Sequence, residues 1–199
     1  MPRIVVINHL TLDGVMQAPG RPDEDTRGGF EHGGWASSRM SGDAVIGAAM
    51  DARMAASSGL LLGRRTYDDL LSYWNSQESP FKDALNNAPK YVASRTLSEP
   101  PLWPNSALVR GDIPEAVAAL RQEPGEELHV MGSGELIQTL MRHDLIDEYV
   151  LLIHPLVLGS GRRLFADVGT HSAVRLVAVE ASPSDVVIAT YQPNGDVLA

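Results

Sequence analysis

Residues 129–141 read HVMGSGELIQTLM. They pass from an apolar run through Gly132-Ser133-Gly134 into a segment whose apolar residues, Leu136, Ile137, Leu140 and Met141, recur at helical spacing. A strand that turns into a helix through glycines is a building block of α/β sheets. It also leaves backbone N–H groups unpaired at the helix start, where the helix dipole favours an anion. The stretch is therefore open between a tight strand-to-helix turn and a phosphate cradle, and only the rest of the chain distinguishes them.

Outward from this unit the same alternation recurs. Arg3–Asn8 and Leu60–Leu62 read as strands, as do Tyr91–Ala93, Ala107–Val109 and Leu128–Met131. Asp43–Ala56, Thr66–Tyr73, Ile113–Arg121 and Glu135–Arg142 read as helices, with Asp43 placed as an N-cap and Pro114 in a first turn. Glu148–Ile153 is a further strand. Val174–Val179 and Val186–Tyr191, separated by EASPSD, give an antiparallel hairpin signal. About eight strands and about four helices predict an α/β fold: a mostly parallel central sheet with an antiparallel C-terminal edge and helices on both faces. The length of 199 residues fits a single domain, 1–199. The stretch 17–38, QAPGRPDEDTRGGFEHGGWASS, breaks the rhythm; a loop this long that carries Phe30 and Trp35 among glycines is expected to be a lid.

Bulk properties exclude several functions. The chain has no cysteine, which removes disulfides, thiolate zinc sites, iron–sulfur clusters and cysteine nucleophiles. Its formal charge of −9 argues against nucleic acid as a partner. No apolar run approaches the roughly 18 residues needed to span a bilayer, and the N-terminus lacks signal-peptide character. A cytoplasmic protein with no membrane partner is expected. The six histidines, His9, His32, His129, His143, His154 and His171, show no ligand spacing, so no metal is expected. His154, ending a strand before Pro155, reads as a structural histidine or a pocket residue.

The chemistry concentrates at strand ends. LLLGRRTY at 60–67, VMGSGELI at 130–137 and LVLGSGRRLF at 156–165 are all glycine-containing turns after strands, where ligands of α/β sheets collect. The full GxGxxG and Walker patterns are absent. Arg64-Arg65-Thr66 and Ser94-Arg95-Thr96 each place a guanidinium and a hydroxyl where a strand ends. On so acidic a protein they suggest a site for phosphates such as those of NADP.

These residues carry a resemblance. TLDGVM, LLLGRRTYDDL, KYVASRTL, HVMGSGELIQTLM and DLIDEYVLLIHPLVLGSGRRLF, in that order, resemble the dihydrofolate reductase-like superfamily, and within it the RibD C-terminal reductase domain of riboflavin biosynthesis and its stand-alone relatives. The resemblance implies an NADPH-dependent oxidoreductase that passes hydride to a small heterocycle, of the 5-amino-6-(5-phosphoribosylamino)uracil reductase or dihydrofolate reductase type, in a homodimer. It implies that Gly63, Arg64, Arg65 and Thr66 hold the adenosine-side phosphates. Ser94 and Arg95 would flank the 2′-phosphate and adenine. Gly132, Ser133, Gly134, Glu135 and Leu136 would wrap the pyrophosphate and nicotinamide side, and Leu12, Gly14 and Val15 would border the nicotinamide.

Hydride transfer asks the protein for orientation, exclusion of water and a proton source. Asp13, Glu135 and a pocket water are the candidate donors, with Glu31 weaker. Phe30, Trp35 and Arg162 are the candidate substrate contacts; Arg162 and Arg163 are open between a substrate phosphate and a turn cap. The zinc ligands of the deaminase half of the bifunctional riboflavin enzymes are absent. The alternatives are an NADP(H)-binding protein without turnover, or a reductase of an unrelated small carbonyl compound.

Overall fold

The structure, a computed structural model, describes residues 1–97, 103–165 and 172–195; His171 lies outside them. Its strands are β1 (Arg3–Thr11), β2 (Ser57–Gly63), β3 (Lys90–Ala93), β4 (Ser106–Val109), β5 (Glu127–Met131), β6 (Glu148–His154), β7 (Val174–Ala181) and β8 (Val187–Pro193). Its helices are α1 (Ser37–Met40), α2 (Ala44–Ala56), α3 (Arg64–Asn75), α4 (Pro80–Asn87), α5 (Ile113–Leu120) and α6 (Gly134–Arg142). The strands hydrogen-bond in the order β4-β3-β2-β5-β1-β6-β8-β7. β2 pairs in parallel with β3 and β5, and β3 with β4. β8 pairs antiparallel with β6 and β7. This is the expected mostly parallel α/β sheet with an antiparallel C-terminal edge. Among the described residues, no helix is long and apolar enough to cross a membrane.

The chain divides into two compact units, Met1–Val5 with Ser57–Leu145, and Val6–Ala56 with Ile146–Ala199. In the first, Leu60, Leu61 and Leu62 are all fully buried, as a strand covered on both faces requires. Leu60, Leu62, Tyr67, Leu71, Leu85 and Val92 form its core. α4 was not predicted from the apolar pattern. It starts on a local signal, Ser79 accepting from the Lys82 N–H with Pro80 in the first turn. It ends on a buried cation: Lys90 Nζ donates to the carbonyls of Leu85 (2.6 Å), Asn86 (3.2 Å) and Ala88 (2.7 Å), which satisfies both the ammonium and the helix C-terminus.

In the second unit, Asp43 is the N-cap that the sequence suggests, accepting from Val45 and Ile46 N–H through Oδ1. Its Oδ2 accepts from the backbone and hydroxyl of Ser184, tying α2 to the β7–β8 turn. Chiefly through the Ser184 hydroxyl, these bonds hold the carboxyl well below the usual carboxylate range. Residues 17–38 contain a short 3-10 turn, Arg27–Gly29, and are organised by Gln17. Buried Gln17 donates to the carbonyls of Asp25 and Arg27.

Lys90→Met keeps the stem and removes the three charge-assisted bonds. It is expected to cost about 2–3 kcal/mol of stability, read as a lower midpoint in urea unfolding at an unchanged slope.

Candidate functional site

In the first unit, β2 and β5 are parallel neighbours, and the turns that follow them are fastened together. Gly132 (φ +62°) and Ser133 (φ +65°) are both left-handed, which swings the chain from β5 into α6. A non-glycine residue in this region costs on the order of 1 kcal/mol. Here the Ser133 hydroxyl makes a specific contact from that conformation, accepting from Gly63 N–H at 2.8 Å. A side chain at Gly132 would meet the Thr66 methyl at 3.3 Å, so glycine lets the two turns touch. The turn after β3 joins them: Arg64 donates to the Thr96 hydroxyl at 3.1 Å. Ser94 closes that turn by accepting from Thr96 and Leu97 N–H. The three strand-end motifs are therefore one cluster.

Its helix starts are unusual. α4 and α5 carry ordinary side-chain caps, Ser79 and Asp112. α3 and α6 have none, because Gly63 has no side chain and the Ser133 hydroxyl serves Gly63. Two neighbouring helix starts thus lack an N-cap side chain, with the positive ends of two dipoles behind them. Arg64 and Arg65 are exposed in the first turn of α3, and Arg95 is exposed nearby in sequence to Thr96. Among the described residues Arg95 has no hydrogen-bond or ion partner. Arg65 lies 3.7 Å from Glu135, both side chains 69% exposed, a weak, solvated pair. Leu136 is buried and can offer a ligand only its backbone.

The second unit holds the other predicted residues. Thr11 to Val15 form a tight turn in which the Thr11 hydroxyl donates to Asp13 (2.6 Å) and accepts from Val15 N–H (2.9 Å). Asp13 also accepts from Leu158 and Gly159 N–H and from the Arg163 guanidinium. Led by the Thr11 hydroxyl, these donors hold its carboxyl well below the usual range. Asp13 is thus an ionised clamp between two loops, and Arg163 is its partner. Leu12 is 64% exposed, whereas Val15 and Phe30 are core residues packed with Ala18. Gly161 lets the loop close over them, since a Cβ there would lie 2.7 Å from the Phe30 ring. Arg162 lines a cavity of about 270 Å³ with Gln17, Arg27, Gly28, Gly29, Phe30, Ser160 and Gly161. Gln17 is a residue that the sequence did not single out; its Oε1 accepts from Arg162 N–H.

Trp35 donates from its indole to the Gln17 carbonyl at 2.7 Å and meets His154 edge-on, with ring centroids 5.2 Å apart. Behind it, His9 Nδ1 and His154 Nε2 are 2.9 Å apart. Burial, then the neighbouring His154, lowers the His9 pKa to about 3. Burial, then the Arg39 charge, lowers that of His154 to about 4. The pair is 145 residues apart in sequence and leaves no local spacing to read.

The chain matches the RibD C-terminal domain family over residues 2–188. It is 33% identical over 141 residues to the uncharacterized protein YyaP of Bacillus subtilis (strain 168), covering 68% of this chain and 74% of YyaP. A solved Shewanella sp. PV-4 protein, provisionally named for riboflavin biosynthesis, aligns with a TM-score of 0.73 at 24% identity, over 96% of this chain and 99% of that one. A Thermotoga maritima diaminohydroxyphosphoribosylaminopyrimidine deaminase/5-amino-6-(5-phosphoribosylamino)uracil reductase aligns with a TM-score of 0.62 at 16% identity, over 97% of this chain and 57% of that one. Both structural likenesses are likenesses of fold.

The histidine pair sets a pH dependence. Bases whose pKa is lowered by folding take up protons first in the unfolded chain, so their contribution is complete above about pH 6.5 and is lost as pH falls towards 4. Between pH 7 and pH 5, above the range where carboxylates titrate, the loss is expected to be on the order of 2 kcal/mol per ring. Urea unfolding across that interval checks it; a His9→Phe/His154→Leu variant should show a shallower slope than wild type.

Proposed function

The chain belongs to the RibD C-terminal domain family, and we propose on that footing that it is an NADPH-dependent reductase, transferring hydride to a small heterocycle of the pyrimidine or pterin class. The observation that carries the cofactor assignment is the pair of uncapped helix starts, α3 and α6, on neighbouring strand ends. The exposed guanidiniums of Arg64 and Arg65, and Arg95, which has no partner among the described residues, add charge suited to phosphates. In this reading Arg64, Arg65 and Thr66 meet the adenosine-side phosphates, with Gly63 closing the turn through its bond to Ser133, Gly132 to Leu136 wrap the pyrophosphate and nicotinamide side, and Ser94 and Arg95 meet the 2′-phosphate that distinguishes NADPH from NADH. NADPH, when bound, supplies the hydride; the chain's own residues bind, orient and exclude water.

The proton is the residues' remaining task. Asp13 is committed to its clamp as a carboxylate, so it has no proton to give near neutrality. Glu135, on the first turn of α6, and solvent remain the donors in this proposal. Phe30 shapes the core under the 17–38 segment, while Trp35 and Arg162 are the residues proposed to reach a substrate. A homodimer through the C-terminal strands is part of the same reading, supported by β7, every residue of which is exposed, including Leu176 and Val179.

Nucleotide fluorescence titrations test the assignment. Wild type is expected to bind NADPH more tightly than NADH. Arg95→Ala should weaken NADPH binding about tenfold or more, the worth of a charge-assisted hydrogen bond, and leave NADH binding within about twofold. Absence of binding of either nucleotide at millimolar concentration would contradict the proposal, and binding with no oxidation across pyrimidines and pterins would reduce it to a nucleotide-binding role.

A further inference from the structure

His154 is fully buried, and its Nδ1 has no hydrogen-bond partner among the described residues. That orphan fixes the hydrogen between the two imidazoles. If His9 donated from Nδ1, neutral His154 would carry its own hydrogen on Nδ1 and bury an unpaired N–H. If His154 donates from Nε2, its Nδ1 is only a bare lone pair, the less costly of the two arrangements. The second tautomer leaves the His9 hydrogen on Nε2. His9 as a residue keeps some exposure to solvent, and its Nε2 has no partner among the described residues. Trp35, packed edge-on, holds the His154 ring in place.

We propose that His9 presents a neutral Nε2–H to an oxo oxygen or ring nitrogen of the heterocyclic substrate, with His154 as the positioning residue that fixes its tautomer. The proposal rests on the reductase reading and adds a substrate contact to it. Hydride addition to a C=N or C=O carbon places the π electron pair on the heteroatom; the His9 N–H bond stays intact and stabilises that charge, while water supplies the proton. The groups facing the pair are each other, the Trp35 ring and the Arg39 charge, none of which favours an imidazolium. His9 and Thr11 lie on the same side of β1, two residues apart, so the donor stands on the strand that feeds the Thr11–Val15 turn.

Two-bond 1H–15N spectra of histidine-labelled protein test the tautomer directly. Both rings are expected as neutral Nε2–H forms, unchanged from pH 8 to pH 5; a His9 imidazolium at pH 7, or its Nδ1–H form, overturns the proposal. Uracil and pterin are the ligand probes. At least one should move the His9 nitrogen resonances in a saturable way, and movement by neither overturns the proposal. His9→Gln keeps a donor near the Nε2 position and should retain probe binding, whereas His9→Phe should lose it about tenfold or more, with NADPH affinity unchanged in both. His154→Phe should leave His9 as a mixture of tautomers, which a purely space-filling role would not do. Failure of wild type to bind NADPH would sink the reductase reading, and the tautomer and probe results would still decide this one.

Discussion

The hydrogen bond from Gly63 N–H to the Ser133 hydroxyl is the constraint on which the candidate site depends. Two parallel neighbours, β2 and β5, must each turn into a helix within a residue or two. Left-handed Gly132 and Ser133 make the second turn compact, and the contact of Gly132 with Thr66 seats it on the first. The serine that would ordinarily cap α6 is thereby spent on its neighbour. The consequence is a pair of neighbouring helix starts without a side-chain cap. The chain caps α2, α4 and α5 with Asp43, Ser79 and Asp112; besides the one-turn α1, it omits the cap at α3 and α6, where an anion would use it.

The second unit follows a different logic. Its polar side chains are consumed in holding loops together: the predicted Asp13 clamps Leu158, Gly159 and Arg163, and Gln17, which the sequence did not single out, binds Asp25, Arg27 and Arg162. Such bonds order Gly- and Pro-rich segments that contribute little apolar surface of their own. Beside these bonds, the open nitrogens of His9 and His154 are unspent polar capacity among the described residues of the unit.

Much of the fold was legible because buried parallel strands read as unbroken apolar runs, as Leu60–Leu62 does, and because EASPSD marks a hairpin. α4 escaped because PFKDALNN offers only Phe81, Ala84 and Leu85 as apolar markers, where the equally short α5, IPEAVAAL, is apolar almost throughout, although Ser79-Pro80 is a valid local start. The meeting of the strand-end turns was legible for a related reason: glycines and arginines at strand ends are local signals. Whether Val15 and Phe30 face a ligand or the core was not, because Gly161, which closes over them, is more than a hundred residues away. The same separation hid the Asp13–Arg163 clamp and the His9–His154 pair. Local chemistry is written in the sequence; the partner that consumes or frees a side chain is set by tertiary contact.

The central claim is that the three turns of the first unit bind one dinucleotide. Backbone amide 1H–15N spectra during an NADPH titration test it most directly. The account predicts that Arg64–Thr66, Ser94–Thr96 and Gly132–Glu135 shift together in one saturable transition, and that with NADH the Ser94–Thr96 shifts shrink selectively. NADPH binding that leaves those three turns unperturbed while moving amides elsewhere would contradict it.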